Sequence, residues 1–571
     1  MNRKDLKRQN IFQLFIVIAN VLVLCYISSL IFFRIDLTQE KRFTISPVSK
    51  QILKSLPDEV LIKVYLEGDL PSGFKRLNKS IKEMLDEFRV YSGKNIQYQF
   101  IDPYSNPERK AVSALMQDLN KKGLRPTRIK MKDSKGGYSE KLIVPGALIS
   151  YNGVELPLNL LSNNPGLSGE ENLNNSVQGL EYGLINVINS VTKTSLDRIA
   201  FLEGQGELNQ YHVLYVAKKL TYNYDIFRGS IGGNIHSLDS FKCVIIAKPK
   251  LAFTEEDKFV LDQYIMNGGK VLWLIDPVLV NEDSAVGGSI LATVNSLNLD
   301  DQLFKYGIRI NPSLIEDVYC SKIQLSESGP GSQNKLQLFS WPYYPIFFGN
   351  QTNIITKNIA PVKGQYVSYI DTLAANGKLE KKILLASSPQ TKVVNVPALI
   401  SFSEVDQTPQ LSSFTLSNLP VAVLVEGKFP SVFKNRMLEN LNISRNYQFK
   451  DESKFTKMIF VADGDIIKNE IYRSESGTKE LPAGCSMFEA EMSENLAYGN
   501  SDFILNAVNY LTDEIGLMNL RSRQVILRLL DRTKIQDEYL KWKLINVLYP
   551  VLLILLSGIG YNFLRKKMNT T

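Results

Sequence analysis

Two long apolar runs without a charged residue lie at opposite ends of this 571-residue chain and constrain its fold more than any other feature. They cover residues 11–33 and 544–564, which are 23 and 21 residues long. About 20 apolar residues in a helix span the hydrocarbon core of a bilayer. The first run is longer than the apolar part of a secretory signal and continues through bulky residues to Arg34, which indicates an uncleaved anchor. We therefore predict two transmembrane helices.

Basic residues beside these runs predict the orientation of the chain. Arg3, Lys4, Lys7 and Arg8 precede the first run, and Arg565, Lys566 and Lys567 follow the second. Because positively charged flanks stay in the cytoplasm, both tails, residues 1–10 and 565–571, are predicted to be cytoplasmic. Residues 34–543 then form a large external region.

The charge of the chain belongs mostly to these tails. Residues 1–8 carry +3 and residues 565–567 another +3 of a formal net charge of +8, which leaves +2 for the rest. A nearly neutral external region gives no reason to expect a nucleic-acid partner. The basic tails instead indicate a membrane topology, with lipids as partners.

Cysteine and histidine usage excludes several classes of site. The external region holds three widely separated cysteines, Cys243, Cys320 and Cys485, and the chain has only two histidines, His212 and His236. Three thiols without a C-x-x-C pair do not make a disulfide framework or a thiol-redox centre. Two isolated histidines do not predict a metal site. We therefore predict no metal and no cofactor.

Residues 40–161 predict a first α/β domain of thioredoxin-like order. A helix capped at Ser46 precedes a strand over 60–66, a helix that ends near residue 91, a strand over 96–101 and a helix over 107–121. Asn152 and Gly153 then favour a hairpin between two apolar strands. The order is βαβαββ, and because no cysteine occupies the relevant turn, the likeness is one of architecture.

Residues 162–195 predict a linker followed by a helix. Asn, Ser and Gly dominate residues 162–176, which indicates a loop. Apolar residues then recur at helical spacing on one stripe, at Val177, Leu180, Leu184, Val187, Ile188 and Val191.

Residues 196–512 predict a second domain built on a parallel sheet. A strand over 198–202 leads to a helix near 208–220, and the strand over 244–247 is followed by a helix capped at Thr254 and a strand over 271–275. Strand, helix and strand of these lengths imply a parallel crossover. Residues 283–480 predict β-rich additions with long loops, and 421–425 and 458–461 predict further core strands.

The strongest candidate for a ligand cleft lies where two of these strands end. Glu203, Gln205, Gly206 and Glu207 form a turn after one strand, and Asp276 directly follows another. Open α/β sheets place ligands at the carboxyl ends of their strands, and glycines let backbone amides approach an anion. The alternatives stay open: a glycine-requiring turn with Glu207 at a helix N-terminus, and a strand stop at Asp276.

Two further groups of residues admit both a functional and a structural interpretation. The aromatic residues Trp341, Tyr343, Tyr344, Phe347 and Phe348 suit either a sugar or protein contact or a core. Basic residues near the second run suit either a solvated face or a contact with lipid phosphates or another subunit, with Lys541 and Trp542 at the interface. These basic residues are Arg521, Arg528 and Arg532. We predict that residues 513–543 form a juxtamembrane helix, unbroken from 517 to 564.

Motifs of catalysis are absent from the sequence. It contains no G-x-x-x-x-G-K run followed by Ser or Thr, so it has no phosphate-binding loop of its own. It contains no G-x-S-x-G elbow, and no Cys and His occur in a plausible arrangement for nucleophilic attack. We therefore predict a protein without enzymatic activity.

Several segments of the sequence carry a family resemblance, namely RFTISP (42–47), VYLEGDLPSGFKRL (64–77), EMLDEFRVYS (83–92), FIDP (100–103), FLEGQGE (201–207), VAVLVEGKFPSVFKNR (421–436) and NAVNYLTDEIGLMNLRSRQVILRLLD (506–531). These segments resemble the GldG family of gliding-motility-associated ABC-transporter proteins. The resemblance covers nearly the whole chain. It implies an inner-membrane auxiliary subunit that works with a separate permease and a separate cytoplasmic ATPase. It also implies that residues 196–512 are similar to an amidotransferase-like module without its catalytic pair, so no catalytic residue carries over.

The sequence leaves three functions open. The first is a non-enzymatic transport subunit whose external domains bind a substrate or an envelope partner. The second is a periplasmic scaffold of motility or secretion machinery. The third is an amidotransferase-like periplasmic hydrolase, which the missing nucleophile and base disfavour.

Overall fold

The computed structural model describes residues 11–23, 44–132, 138–282, 288–327, 335–373, 379–406, 410–436, 447–474, 477–492, 498–522 and 537–569. The chain divides into two compact units, Met1–Arg523 and Gln524–Thr571. The fold is mixed α/β, as predicted.

The amino-terminal elements follow the predicted order with one addition. They are α1 (Ile11–Val23), α2 (Pro47–Lys54), β1 (Val60–Val64), α3 (Ser72–Tyr91), β2 (Ile96–Phe100), α4 (Arg109–Lys121), β3 (Thr127–Lys132), β4 (Tyr138–Ile143), β5 (Gly146–Tyr151), β6 (Val154–Asn159) and α5 (Gly169–Thr192). The sheet order is β2-β1-β5-β6, with β1 parallel to β2 and antiparallel to β5. The hairpin of β3 and β4 is the addition that the sequence pattern did not predict.

Local chemistry explains the ends of these elements. Ser46 caps α2, since its hydroxyl accepts a hydrogen bond from the Ser49 amide at 3.1 Å. The turn between β5 and β6 is the predicted one, with Asn152 and Gly153 both at positive φ. Helix α5 lays the predicted apolar stripe on the core of this domain, where Leu180, Leu184, Ile188 and Val191 are buried.

The loop predicted over residues 162–176 is wrong from residue 169 onward. Helix α5 begins there with a complete capping box, in which the Ser168 hydroxyl accepts from the Glu171 amide and the Glu171 carboxylate accepts from the Ser168 amide. The Asn172 amide group also donates to the Asn164 carbonyl at 2.9 Å. Polar residues that resemble loop composition therefore serve here as the cap of a helix.

The second domain begins with the predicted parallel strands. They and their helices are β7 (Asp197–Glu203), α6 (Leu214–Leu220), β8 (Tyr224–Ser230), β9 (Cys243–Ala247), α7 (Glu255–Met266) and β10 (Lys270–Leu274). Strand β9 pairs in parallel with β7 and β10, and β7 pairs in parallel with β8. All five residues of β9 are buried, as expected of a strand covered on both faces.

The β-rich region does not form a separate addition, because several of its strands extend the central sheet. Its elements are β11 (Val278–Leu279), β12 (Ser289–Val294), α8 (Asp300–Lys305), β13 (Ile308–Ile310), β14 (Ser313–Asp317), β15 (Cys320–Glu327), β16 (Lys335–Gly349), β17 (Val362–Lys363), β18 (Ile370–Thr372), β19 (Leu379–Ala386), β20 (Thr391–Asn395), β21 (Ala398–Ser401), β22 (Pro420–Gly427), β23 (Thr456–Val461), β24 (Ile471–Ser474) and β25 (Gly477–Glu480). The central sheet runs β15-β16-β19-β22-β23-β10-β9-β7-β8 among the described strands. Strand β23 is parallel to β10, and β22 is antiparallel to β23.

The chain ends in α9 (Met487–Met492), α10 (Asn500–Thr512) and α11 (Tyr539–Asn569). The segment Leu517–Ser522 is a 3-10 helix, so the juxtamembrane helix predicted over 513–543 and unbroken from residue 517 is wrong at its start. Residues 523–536 of that prediction lie outside the described residues. The Asp513 carboxylate accepts hydrogen bonds from the amides of Gly516, Leu517 and Met518 at 2.8–3.0 Å, which holds the tighter turn.

One helix in the described part of the chain, over Tyr539–Leu564, is long and apolar enough to cross a membrane. The first predicted span is represented by α1, a shorter apolar helix, and residues 24–33 of that span lie outside the described residues. Both helices are consistent with membrane association.

Candidate functional site

The predicted site residues lie at one edge of the central sheet. Strands β7, β9, β10 and β23 run parallel, so their carboxyl ends share this edge. The turn over residues 203–207 comes at the end of β7, and Lys248 directly follows β9. Asp276 lies two positions after the end of β10, and Asp463 and Asp465 lie two and four positions after the end of β23. This is the edge at which open α/β folds place ligands.

Gln205 fastens the turn after β7 to the neighbouring elements. Its side chain is 6% exposed, and its Nε2 donates to the Asp257 carboxylate at 3.1 Å. Its carbonyl accepts from the Lys250 and Leu251 amides at 2.7 and 2.8 Å. Gly206 lies at φ +75°, with the Lys250 side chain 3.3 Å from where a Cβ would be. These bonds join the turn after β7 to the segment after β9, at the point where the strand order reverses.

The two glutamates of this turn have different environments. Glu203 is exposed and pairs with Arg228 of β8, at 2.7 Å between Oε1 and Nε. Glu207 accepts a hydrogen bond from the Gln205 amide at 2.8 Å. Burial raises the pKa of Glu207, and the charge of Glu203 adds to that shift. Its Oε1 is buried without a hydrogen-bond partner among the described residues, so the carboxyl favours its protonated form more than a free glutamate does.

Asp276 belongs to a buried ionic cluster. Its Oδ2 lies 3.0 Å from Nζ of Lys248, and its Oδ1 accepts a hydrogen bond from the Gly464 amide. Nζ of Lys248 also contacts Asp465. The Asp463 carboxylate accepts from the Asp465 amide at 2.7 Å and from the Gln365 amide at 3.0 Å. The ion pairs and hydrogen bonds together join the ends of β9, β10 and β23.

The pKa shifts within this ionic cluster follow from burial and mutual attraction. Burial lowers the pKa of Lys248, but attraction to Asp276 and Asp465 outweighs it and raises that pKa above its ordinary value. Burial raises the pKa of Asp276, against the pull of Lys248, and raises the pKa of Asp463 well above its ordinary range. Burial opposes the shift of Asp465, yet Lys248 and Lys468 lower its pKa. The lysine therefore stays charged and stabilises an ionised Asp465.

Lys248 sits where a cation would be needed to balance these carboxylates. No group of three or more His, Cys, Asp or Glu suited to a metal occurs among the described residues. The site thus carries its own counter-ion.

Lys248, Asp463 and Asp465 were not predicted from the sequence. The signal for the two aspartates was available, since the segment ADGD (462–465) follows a predicted core strand just as Asp276 follows its strand. Lys248 had a weaker signal in the sequence. Its backbone adopts a positive φ of 57°, which is uncommon for a lysine and which the residue type does not predict.

The three described thiols are poor nucleophiles. Cys243 is fully buried in β9, and burial raises its pKa to about 12. Burial likewise raises the pKa of Cys320 to about 11 and that of Cys485 in the same direction. Burial also lowers the pKa of His212, and the charges of Lys468 and Lys250 add to this effect. A thiol attacks as the thiolate, so these environments work against thiol chemistry.

The aromatic residues of β16 form core rather than a binding surface, with one exception. Trp341, Tyr343, Tyr344 and Phe347 are buried, whereas Phe348 is 60% exposed. The Tyr344 hydroxyl donates to the Glu282 carboxylate at 2.6 Å. Four of the five therefore contribute packing.

Arg521 is half-buried and its guanidinium bonds to the protein itself, while its contact with lipid phosphates or another subunit stays a prediction. Its Nε donates to the Ile354 carbonyl at 2.9 Å and its Nη2 to the Lys357 carbonyl at 2.7 Å, and its guanidinium lies 5.3 Å from the Tyr182 ring centre. Arg528 and Arg532 lie outside the described residues.

Lys541 and Trp542 are exposed on α11, and both contact Glu538 of the same turn. Their contact with a membrane or partner stays a prediction.

Comparison with known proteins places the second domain in a described family. A family model described as "ABC-type uncharacterized transport system" matches residues 197–507, and one described as "Domain of unknown function (DUF7088)" matches residues 39–150. An uncharacterized protein of Borreliella burgdorferi is 23% identical over 510 residues, which cover 88% of this chain and 87% of that protein. The solved structure titled "mmIFT52 N-terminal domain" aligns with 55% of this chain and 97% of its own length, at 14% identity and a TM-score of 0.31. That score is too low to indicate a shared fold.

Proposed function

This chain belongs to the family described as an ABC-type uncharacterized transport system, and on this basis we propose that it is a non-enzymatic, membrane-anchored subunit of such a system, of the GldG type that serves gliding motility. The protein is an ABC transport-associated auxiliary protein, which implies association with an ABC transport system. The proposal adds two spans, a periplasmic region, a separate permease and a separate cytoplasmic ATPase.

The bonds among Gln205, Lys248 and Asp276 at the carboxyl edge of the central sheet are the observation that best supports the non-enzymatic role. An enzyme of this architecture needs an open crevice and an accessible nucleophile or base at that edge. Here Gln205 bonds across the strand-order reversal, and Lys248 neutralises Asp276 and Asp465. These contacts favour a structural use of the edge.

Sequence features support the membrane part of the proposal. Basic tails flank both apolar runs, and the second run coincides with α11. The sequence contains no phosphate-binding loop, which supports the proposal that a separate subunit hydrolyses ATP.

Co-purification of the intact chain tests this proposal. The full-length protein, expressed in its own host and extracted in a mild detergent, should bring down a membrane-spanning permease and a P-loop ATPase, identified by mass spectrometry. A variant cut after residue 536 removes α11 and serves as the control, because it should lose the permease. Recovery of envelope proteins without either transporter subunit would contradict the proposal and favour a scaffold.

A further inference from the structure

A cavity of about 700 Å³ lies away from the carboxyl edge described above. Its walls come from β6, α5, α6, α10 and the 3-10 helix Leu517–Ser522, and thus from both domains of the first unit. This volume is within the range of about 300–1,000 Å³ that is usual for small-ligand sites, which also tend to form between domains.

One wall is a polar face of α5. Asn175, Gly179, Tyr182 and Asn186 are spaced four, three and four residues apart, so they share one side of the helix. Asn175 and Asn186 are half-buried, and no protein partner bonds to their side-chain amides in the described part of the chain. A Cβ at Gly179 would meet no atom within 4 Å, so this part of the wall borders open space.

The remaining walls combine amides and tyrosines with apolar side chains such as Leu158, Leu160 and Leu505. Tyr215 and Tyr222 lie on one side, and Asn223, Asn506 and Asn509 continue the lining. Asn506 donates to the Ile355 carbonyl at 2.9 Å, and the Oδ1 of Asn509 accepts from the Tyr224 hydroxyl at 2.8 Å. These hydrogen bonds fix the positions of the Asn506 and Asn509 side chains.

The cations of the lining are engaged by the protein itself. Lys218 pairs with Glu480 at 2.5 Å, and Arg125 donates to the Tyr215 hydroxyl. Lys219 lies 4.9 Å from the centre of the Tyr215 ring, and the guanidinium of Arg521 is bonded to two carbonyls. An ionic ligand would have to displace these contacts, whereas an uncharged ligand would not.

Amides offer both a donor and an acceptor, which matches hydroxyl groups, and tyrosine rings suit the apolar face of a sugar. A peptide would most readily add to the exposed edge of β6. That edge contains Pro157, which lines the cavity and has no N–H to donate. The chemistry therefore favours a glycan over a peptide.

We propose that this cavity, lined by Asn175, Gly179, Tyr182 and Asn186 of α5 and by Tyr215 and Tyr222, binds an uncharged polyhydroxylated ligand, a short oligosaccharide. The inference rests on the proposed function, since it names the substrate class that the external region of the transport subunit takes. The glycan then lies between the two domains, beside Arg521.

The test uses the full chain in phospholipid nanodiscs, because detergents with sugar head groups would compete. Titration calorimetry with chitotriose, maltotriose and cellotriose is compared with trialanine and inorganic phosphate. Gly179→Leu fills the open space beside α5 and should weaken binding of the responding glycan at least tenfold. Gly169→Leu is the matched control, because Gly169 lies in the same helix, has open space at its Cβ and does not line the cavity. Asn186→Ala should also weaken binding.

Three results would overturn the proposal: no binding of any glycan by the unaltered chain, binding of only the peptide or phosphate, or equal glycan binding by Gly179→Leu. Co-purification of the permease and ATPase is measured in parallel. If the subunits co-purify while no glycan binds, the cavity proposal fails and the proposed function stands. If glycan binds without these subunits, the proposed function fails instead.

Discussion

Nζ of Lys248 lies 3.0 Å from Oδ2 of Asp276, so the ends of two adjacent parallel strands are joined by an ion pair at the edge where such folds usually bind ligands. The side chain of Asp276 is 8% exposed and that of Lys248 is 19% exposed, so water screens this pair only weakly. Removal of Lys248 leaves the buried carboxylates of Asp276 and Asp465 without the cation that they share.

Lys248→Met should therefore destabilise the protein strongly. Breaking a buried ion pair costs about 3–5 kcal/mol. Lys248→Met removes the ammonium group from two such contacts, one with Asp276 and one with Asp465. Thermal unfolding of the full chain in detergent measures the effect. Lys250→Met, at an exposed position two residues away, is the control and should change the unfolding midpoint little. Equal midpoints for the two variants would show that the ionic cluster contributes nothing to stability.

The buried pair of Lys363 and Glu489 predicts a pH-dependent stability. Their Nζ and Oε2 atoms lie 2.9 Å apart. Burial would raise the pKa of Glu489, but Lys363 and the Tyr498 hydroxyl lower it below its ordinary value. A lowered folded-state pKa stabilises above the unfolded value of about 4.3, and this contribution is lost as pH falls through the folded value.

Glu489→Gln should accordingly unfold at a lower temperature than the unaltered chain at pH 7. The difference should shrink as pH falls below about 4, because the carboxylate is protonated first in the unfolded state and then, at lower pH, in the folded state. Glu83→Gln is the control, because Glu83 forms only an exposed contact with Lys79 at 3.9 Å. A difference that stays constant from pH 7 to pH 3 would argue against the ion pair as its source.

The three described thiols should resist alkylation in the folded protein. In a Cys25→Ser background, N-ethylmaleimide at pH 8 should modify Cys243, Cys320 and Cys485 slowly, because burial raises the pKa of each and few thiolates form. Mass spectrometry counts the modified residues with and without urea.

Replacing Cys243, Cys320 and Cys485 together by Ser should leave transport intact. Loss of transport at normal protein abundance would revive an enzymatic interpretation.

Arg521→Lys should destabilise the packing of the 3-10 helix Leu517–Ser522. Lysine keeps the charge but cannot reach both the Ile354 and Lys357 carbonyls with one planar group. We expect a loss of about 1.5–3 kcal/mol, the range for hydrogen bonds of charged groups, measured by thermal unfolding. Arg76→Lys, at an exposed pair with Glu170, provides the comparison and should be nearly neutral.

The topology prediction is tested by single cysteines in a cysteine-free chain. Asp300→Cys, at an exposed position, should react with a membrane-impermeant maleimide in intact spheroplasts. Asn2→Cys should react only after permeabilisation, since the basic tail is predicted to be cytoplasmic. Protection of residue 300 in spheroplasts would exclude a periplasmic location of the large region.

Much of the secondary structure followed from local patterns. The stripe of α5, the hairpin at Asn152 and the parallel pairing of β9 with β10 depend on residues that are close in sequence. The Thr254 cap of α7 was also predicted, and its hydroxyl accepts from the Asp257 amide at 3.1 Å. The Asp257 carboxylate, however, accepts from Gln205 and Gly233. A capping pattern therefore located the helix but did not reveal its second partner.

The sequence by itself determined the two apolar runs, the basic tails, the mixed α/β class and most strand and helix positions, because periodicity, capping and charge act over a few residues. Only the tertiary structure decided that Lys248 pairs with Asp276, that Arg521 is held by the carbonyls of Ile354 and Lys357, and that amides of α5 and α10 line one cavity. The ion pair joins residues 28 positions apart, and the two hydrogen bonds of Arg521 join residues 164 and 167 positions apart. Local propensity carries no information about such pairs, since the packing of whole elements brings them together.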